Sequence, residues 1–147
     1  LEFCEDFEYT PVIFNANQTV NFKREAIYHT NVMMCLAETF AVICLGSIDD
    51  KKERKNVLKH LKEDGKKVIE ISEEQVASFA GNMLQVRGTD NELFLVMSQA
   101  AYDSLTTSQI AQINNHCKII SSSLDTIEAC GGGSARCMMA EVFLPKI

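Results

Sequence analysis

Between Asn31 and Ile120 the chain passes twice through the same succession of patterns, and that repeat limits the folds open to it. Asn31-Val-Met-Met-Cys-Leu36 reads as a strand, Ala37-Glu38-Thr39 as a short turn, and Phe40-Ala-Val-Ile-Cys-Leu45 as a second strand. Asp49 to Asp64 then shows helical spacing, with Val57, Leu58 and Leu61 on one face and two aspartates where the helix dipole is positive. Gly65 stops this helix, and Lys67-Val-Ile-Glu-Ile71 is a third strand. The order then returns. Asn82 to Val86 is a strand, Gly88-Thr-Asp-Asn91 a hairpin turn, and Leu93 to Met97 the next strand. Thr106 caps a helix that carries Ile110, Ile113 and Cys117 inward, and Lys118-Ile-Ile120 closes the unit. Asn31 to Asn82 is an offset of 51 and Phe40 to Phe94 one of 54, so the unit is ββαβ and about fifty residues long.

Residues 27–78 and 79–126 each hold one unit of a single domain. Residues 1–26 read as the tail of a preceding unit: a helix through residue 9, a short buried strand from Pro11 to Phe14, and a polar loop from Asn15 to Arg24. Residues 127–147 carry a glycine-rich stretch followed by an apolar run, Met138 to Leu144, that reads as a buried strand ended by Pro145. The fold class expected is α+β, with units related by rotation in a propeller-like array.

Charge and cysteine usage exclude several functions. A net charge of −6 without a Lys/Arg stripe argues against a nucleic-acid surface. No apolar run reaches the roughly 18 residues that span a bilayer. The acidic start, Glu2 to Asp6, does not resemble a signal peptide. Six cysteines without a C-x-x-C pair fit free thiols in the cytoplasm better than a disulfide framework, and no His/Cys cluster has zinc-ligand spacing.

The run Ala129-Cys-Gly-Gly-Gly-Ser-Ala-Arg-Cys137 carries the chemistry. Consecutive glycines serve where backbone turns tightly or approaches something closely. They lack the lysine of a phosphate-binding loop and lead to a strand, not a helix. Cys137 is therefore either a structural cysteine or a nucleophile, the second because a thiol beside a cation such as Arg136 ionises more readily. It lies 55 residues beyond Asn82, where a third unit should begin. If the units are equivalent, Asn31, Asn82 and Cys137 all start matching strands. His29, two residues before Asn31, then shares its face. A cysteine and a histidine far apart in sequence would meet at one site, as thiol catalysis needs.

Tyr28-His-Thr-Asn-Val-Met-Met34, Phe79-Ala-Gly-Asn-Met-Leu-Gln85 and Gly131-Gly-Gly-Ser-Ala-Arg-Cys-Met138 resemble segments of the pentein superfamily of guanidine-modifying enzymes, and within it the bacterial amidinotransferase-like group that includes citrulline ureidase. The resemblance implies a propeller of five ββαβ units, of which this chain would be the C-terminal half, paired with the missing N-terminal half or with a second copy. It implies Cys137 as nucleophile and His29 as general acid and base, with no cofactor. Asn31 stands where most of these enzymes have an aspartate that pairs with a guanidinium. An amide both donates and accepts, which suits a neutral ureido group. The function implied is hydrolysis of a C–N bond in a citrulline-like ureido or guanidino amino acid through a covalent cysteine intermediate. Arginine deimination, amidino transfer and a non-catalytic binding module are the alternatives. Gly132, Gly133 and Ser134 would offer backbone N–H groups to substrate. Arg136 would pair with a substrate carboxylate, assist the thiol, or form a surface salt bridge. Asn82 would bind substrate or satisfy a turn. The chain by itself is expected to lack turnover, because further acidic residues would come from upstream.

Overall fold

The computed structural model describes residues 1–141. It contains two separate three-stranded sheets built alike, one for each sequence repeat, preceded by a two-stranded hairpin.

In the first repeat β1 (Met34–Leu36) runs antiparallel to β2 (Phe40–Ile43), with Met34 opposite Ile43, and β2 runs parallel to β3 (Lys67–Glu70), with Phe40 opposite Lys67. Every residue of the central strand β2 is buried, which is why Phe-Ala-Val-Ile shows no polar alternation. The crossover between the parallel strands is helix α1 (Lys51–Glu63). Its cap is Asp50, whose carboxylate accepts from the N–H groups of Lys52 and Glu53 at 2.7 and 2.9 Å. Gly65, at φ +72°, takes the left-handed conformation that turns the chain back toward β3. Val57 and Leu61 are buried and Leu58 is half-buried, so the expected stripe faces the sheet.

The second repeat reproduces this plan. β4 (Leu84–Arg87) is antiparallel to β5 (Leu93–Ser98), and β5 is parallel to β6 (Lys118–Ser122), with Phe94 opposite Lys118 as Phe40 is opposite Lys67. The crossover is α2 (Gln99–Ser104) followed by α3 (Thr107–Asn114), the latter opened by a capping box between Thr106 and Gln109. A second capping box, Ser72 with Gln75, opens α4 (Glu73–Ala77) between the repeats. The two box glutamines bond to each other, Gln75 Nε2 to Gln109 Oε1 at 2.7 Å and Gln109 Nε2 to Gln75 Oε1 at 3.0 Å, which ties one repeat to the next. A closer tie is at Gly81. A Cβ there would stand 2.2 Å from the Val32 carbonyl oxygen, so only glycine lets these two backbones meet.

Several expected elements differ. Residues 11–14 form no strand, and Ile13 is exposed. The polar stretch expected as a loop is instead a hairpin, β7 (Asn17–Val20) with β8 (Lys23–Ala26), turned by Asn21 and Phe22 at positive φ. Arg24 holds the hairpin to the first repeat. It pairs with Asp49 at 2.6 Å and Glu73 at 2.5 Å, and bonds the Asn17 carbonyl at 3.1 Å, so its partners lie near the starts of α1 and α4. The strands expected to start at Asn31 and Asn82 start at Met34 and Leu84, because short turns precede them. The N-terminal helix is present, α5 (Glu2–Asp6), but none of it is buried. The glycine run is not a free loop: α6 (Asp125–Gly131) extends into it and Gly132, at φ +66°, is its left-handed cap. Cys137 lies in a 3-10 turn, Ala135–Met138, and is exposed, so no buried strand begins there. The remainder of that expected strand, residues 142–144, lies outside the described residues.

Candidate active site

The turns that displace the expected strands build the site. A cavity of about 360 Å³ opens where they meet, and His29, Asn31, Asn82, Gly132, Gly133 and Cys137 all line it. Gln18 of the hairpin, Tyr28 and Phe79 complete much of the wall.

His29 caps the 3-10 turn Thr30–Val32 in extended conformation, and its Nδ1 accepts the Asn31 N–H at 3.2 Å. A ring nitrogen that accepts carries no proton, so the neutral imidazole holds its hydrogen on Nε2. Nε2 makes no hydrogen bond to the described residues and is available to the cavity. The Asn31 side-chain amide is likewise without a hydrogen bond among the described residues.

Cys137 is held from two directions. The Asn82 Nδ2 donates to its Sγ at 3.2 Å, and Gly133 passes so close that a Cβ there would lie 3.1 Å from the sulfur. Asn82 is 4% exposed, and its amide also bonds the Asn31 carbonyl at 3.1 Å and the Arg136 N–H at 3.1 Å. Cys35 and Cys117 are unlike Cys137. Burial pushes the Cys35 thiol up to about 12, against a smaller opposing influence of Arg136, and burial also raises Cys117. All six cysteines are free.

Two sequence-chosen residues do not face the cavity. The Arg136 guanidinium bonds the Met139 carbonyl at 3.0 Å and pairs with Glu141 at 3.3 Å; it lines a second cavity, of about 450 Å³, which Asn31 also lines. Ser134 is buried and its Oγ donates to Glu128 at 2.6 Å, which pins the turn that carries Cys137 to α6. In turn, Gln18, Tyr28 and Phe79 line the cavity although nothing in the sequence assigned any of them a site role. Phe79 sits at φ +64°, a strained conformation for an aromatic residue and one with no sequence signature. Among the described residues no three His, Cys, Asp or Glu side chains gather to hold a metal, and no helix is long and apolar enough to cross a membrane.

Two three-stranded sheets, each with one antiparallel and one parallel pair, thus stand beside a cavity that a cysteine and a histidine from distant turns both line. Residues 1–144 match the family described as N,N dimethylarginine dimethylhydrolase, eukaryotic, and the chain belongs to that family. Among solved structures it is similar to the apo form of ArgZ, an arginine dihydrolase from the ornithine–ammonia cycle in cyanobacteria, at 18% identity and a TM-score of 0.58. That match covers 82% of this chain and 18% of the cyanobacterial one, and it establishes a shared fold. No curated protein matches the chain.

Proposed function

We propose that this chain carries the nucleophile and the acid–base group of an enzyme that hydrolyses a C–N bond in a ureido or guanidino amino acid, with a citrulline-like substrate favoured. The observation that supports it best is the presence of His29, Asn31 and Cys137 around one cavity large enough for such a side chain. In this reading the Cys137 thiolate, with His29 as its imidazolium partner, attacks the ureido carbon. As the bond from that carbon to the substrate's chain nitrogen breaks, His29 Nε2 gives its proton to the departing amine. His29 then takes a proton from water as the water attacks the S-carbamoyl carbon. Collapse of that adduct breaks the carbon–sulfur bond, restores the thiolate–imidazolium pair and releases carbamic acid, which breaks down to ammonia and carbon dioxide.

The preference for a neutral group rests on charge. No Asp or Glu among the described residues lines the cavity, so a guanidinium there would lack a counter-ion from this chain, whereas the Asn31 amide matches a ureido oxygen and nitrogen. The second reading is a guanidino substrate, arginine or a methylated arginine, and the family membership favours it. Because the chain spans 18% of the arginine dihydrolase it matches, the test uses the full-length protein that carries it. Incubation with citrulline, arginine, dimethylarginine and agmatine should release ornithine from citrulline fastest, and Cys137→Ser should reduce turnover by about 1,000-fold or more. Turnover retained in Cys137→Ala would overturn the enzyme reading and leave a binding module. Free thiols further support a cytoplasmic setting. The exposed Leu36 and Ile120 support burial of the sheet flanks by further propeller units or a second copy.

A further inference from the structure

We propose that Asn82 is a positioning residue for the nucleophile and not a substrate ligand, an inference that rests on Cys137 being the nucleophile. The amide has two N–H donors, and both are used. One goes to the Asn31 carbonyl at 3.1 Å and the other to Cys137 Sγ at 3.2 Å. Its Oδ1 accepts the Arg136 N–H at 3.1 Å, and that same N–H lies 3.3 Å from the Asn82 carbonyl. The orientation of the amide follows from its partners: a backbone N–H can face only the oxygen, and a backbone carbonyl only the nitrogen. With the side chain 4% exposed, no donor is left for a substrate, in contrast to Asn31, whose amide is unengaged among the described residues.

The consequence is mechanical. One side chain joins the turn that carries His29 and Asn31, the second repeat to which it belongs, and the turn that carries Cys137. It bonds the sulfur itself and fixes the main chain one residue before it, so the distance between nucleophile and acid–base group is set through Asn82. Aspartate is nearly the same size and keeps the bond from the Arg136 N–H, but it cannot donate, so it sets a carboxylate oxygen against both the Asn31 carbonyl and the sulfur. Serine is neutral but too short to span the three partners.

The test is made on the full-length protein. Asn82→Asp should lower kcat on the preferred substrate by about 100-fold, the scale expected when a reacting group is misplaced by about 1 Å, with KM changed by less than about threefold. Independently of turnover, iodoacetamide alkylation of Cys137, followed residue by residue by mass spectrometry, should slow by about tenfold in Asn82→Asp relative to Cys4, because a like charge beside the sulfur disfavours the thiolate. Cys35 reports folding: it is buried and stays unmodified while the chain is native. If Asn82→Asp leaves Cys35 reactive, the decision passes to Asn82→Ser, which should lower kcat by about tenfold without moving KM. A tenfold rise in KM at unchanged kcat in either folded variant would make Asn82 a substrate ligand and overturn the proposal, as would unchanged kcat and alkylation together. The nucleophile reading fails separately, if Cys137→Ala keeps turning over.

Discussion

Gly133 and Cys137 approach so closely that a Cβ on the glycine would stand 3.0 Å from the cysteine Cβ and 3.1 Å from its sulfur. The glycine is thus a shape requirement of the thiol. Gly133→Ala should lower kcat by about tenfold or more by pushing the sulfur off its position, while the melting temperature changes little, since an exposed side chain can yield. Gly131→Ala is the control. It meets nothing within 4 Å and lies in the last turn of α6, so turnover should be unchanged.

Gly81 predicts the opposite balance. A Cβ there would lie 2.2 Å from the Val32 carbonyl oxygen and 2.8 Å from the Met33 carbonyl carbon, both backbone atoms that cannot rotate away. Gly81→Ala should therefore separate the two repeats and cost about 3 kcal/mol or more in urea unfolding. A midpoint within experimental error of the parent's would show that the repeats do not meet there.

The Arg24 latch makes hairpin docking acid-sensitive. Hydrogen bonding and charge from Arg24 hold the Asp49 carboxyl below its usual range. For Glu73, partial burial pushes upward, but bonds from Arg24 and Thr19 outweigh it and the net shift is downward. Groups lowered on folding stabilise the native state above their unfolded values, and that stability is lost as pH falls through the lowered native values. Tryptic cleavage within residues 17–26 should thus be slow at neutral pH. Pepsin cleavage of the same segment should accelerate below about pH 4. Arg24→Met should weaken the pH dependence, leaving the part due to Thr19 and Asn17, and lower stability by about 1 kcal/mol, the modest figure expected of half-exposed pairs.

The thiols should separate into two kinetic classes. Cys35, pushed up to about 12 by burial, and the buried Cys44 and Cys117 should resist iodoacetamide at pH 8.5 until urea unfolds the chain, whereas Cys130 and Cys137 are exposed and should react in the native state. Alkylation of Cys35 well below the global unfolding midpoint would show that the first sheet opens on its own.

Much of the fold was legible because it depends on local signals. The order ββαβ followed from apolar periodicity, and its helix boundaries from Asp50, Gly65 and Thr106, each of which caps or stops a helix as expected. The register of the repeat was legible too, since Phe40 and Phe94, the two residues matched in the sequence, each pair with the lysine that opens the parallel partner strand, Lys67 and Lys118. The hairpin was not. Asn17 to Ala26 has almost no apolar pattern, and it is held by Arg24 reaching carboxylates 25 and 49 residues away, a contact that no window of sequence displays.

The candidate site divides the same way. The chain's own letters determined which residue types it holds: a cysteine after a glycine run, a histidine two positions before an asparagine, and no carboxylate beside either. Spacing alone led to the expectation that they take matching places in successive repeats. Which groups face the cavity was decided only by tertiary packing. Arg136 turns to Glu141 and Ser134 to Glu128, because a polar group withdrawn from water takes the partner within reach. Asn82 becomes a junction because Gly81 lets two backbones close to contact, which places the Asn31 carbonyl and the Cys137 sulfur within range of one amide. Periodicity and caps are short-range and can be read along the chain; the direction in which a polar side chain points depends on what the folded chain brings near it.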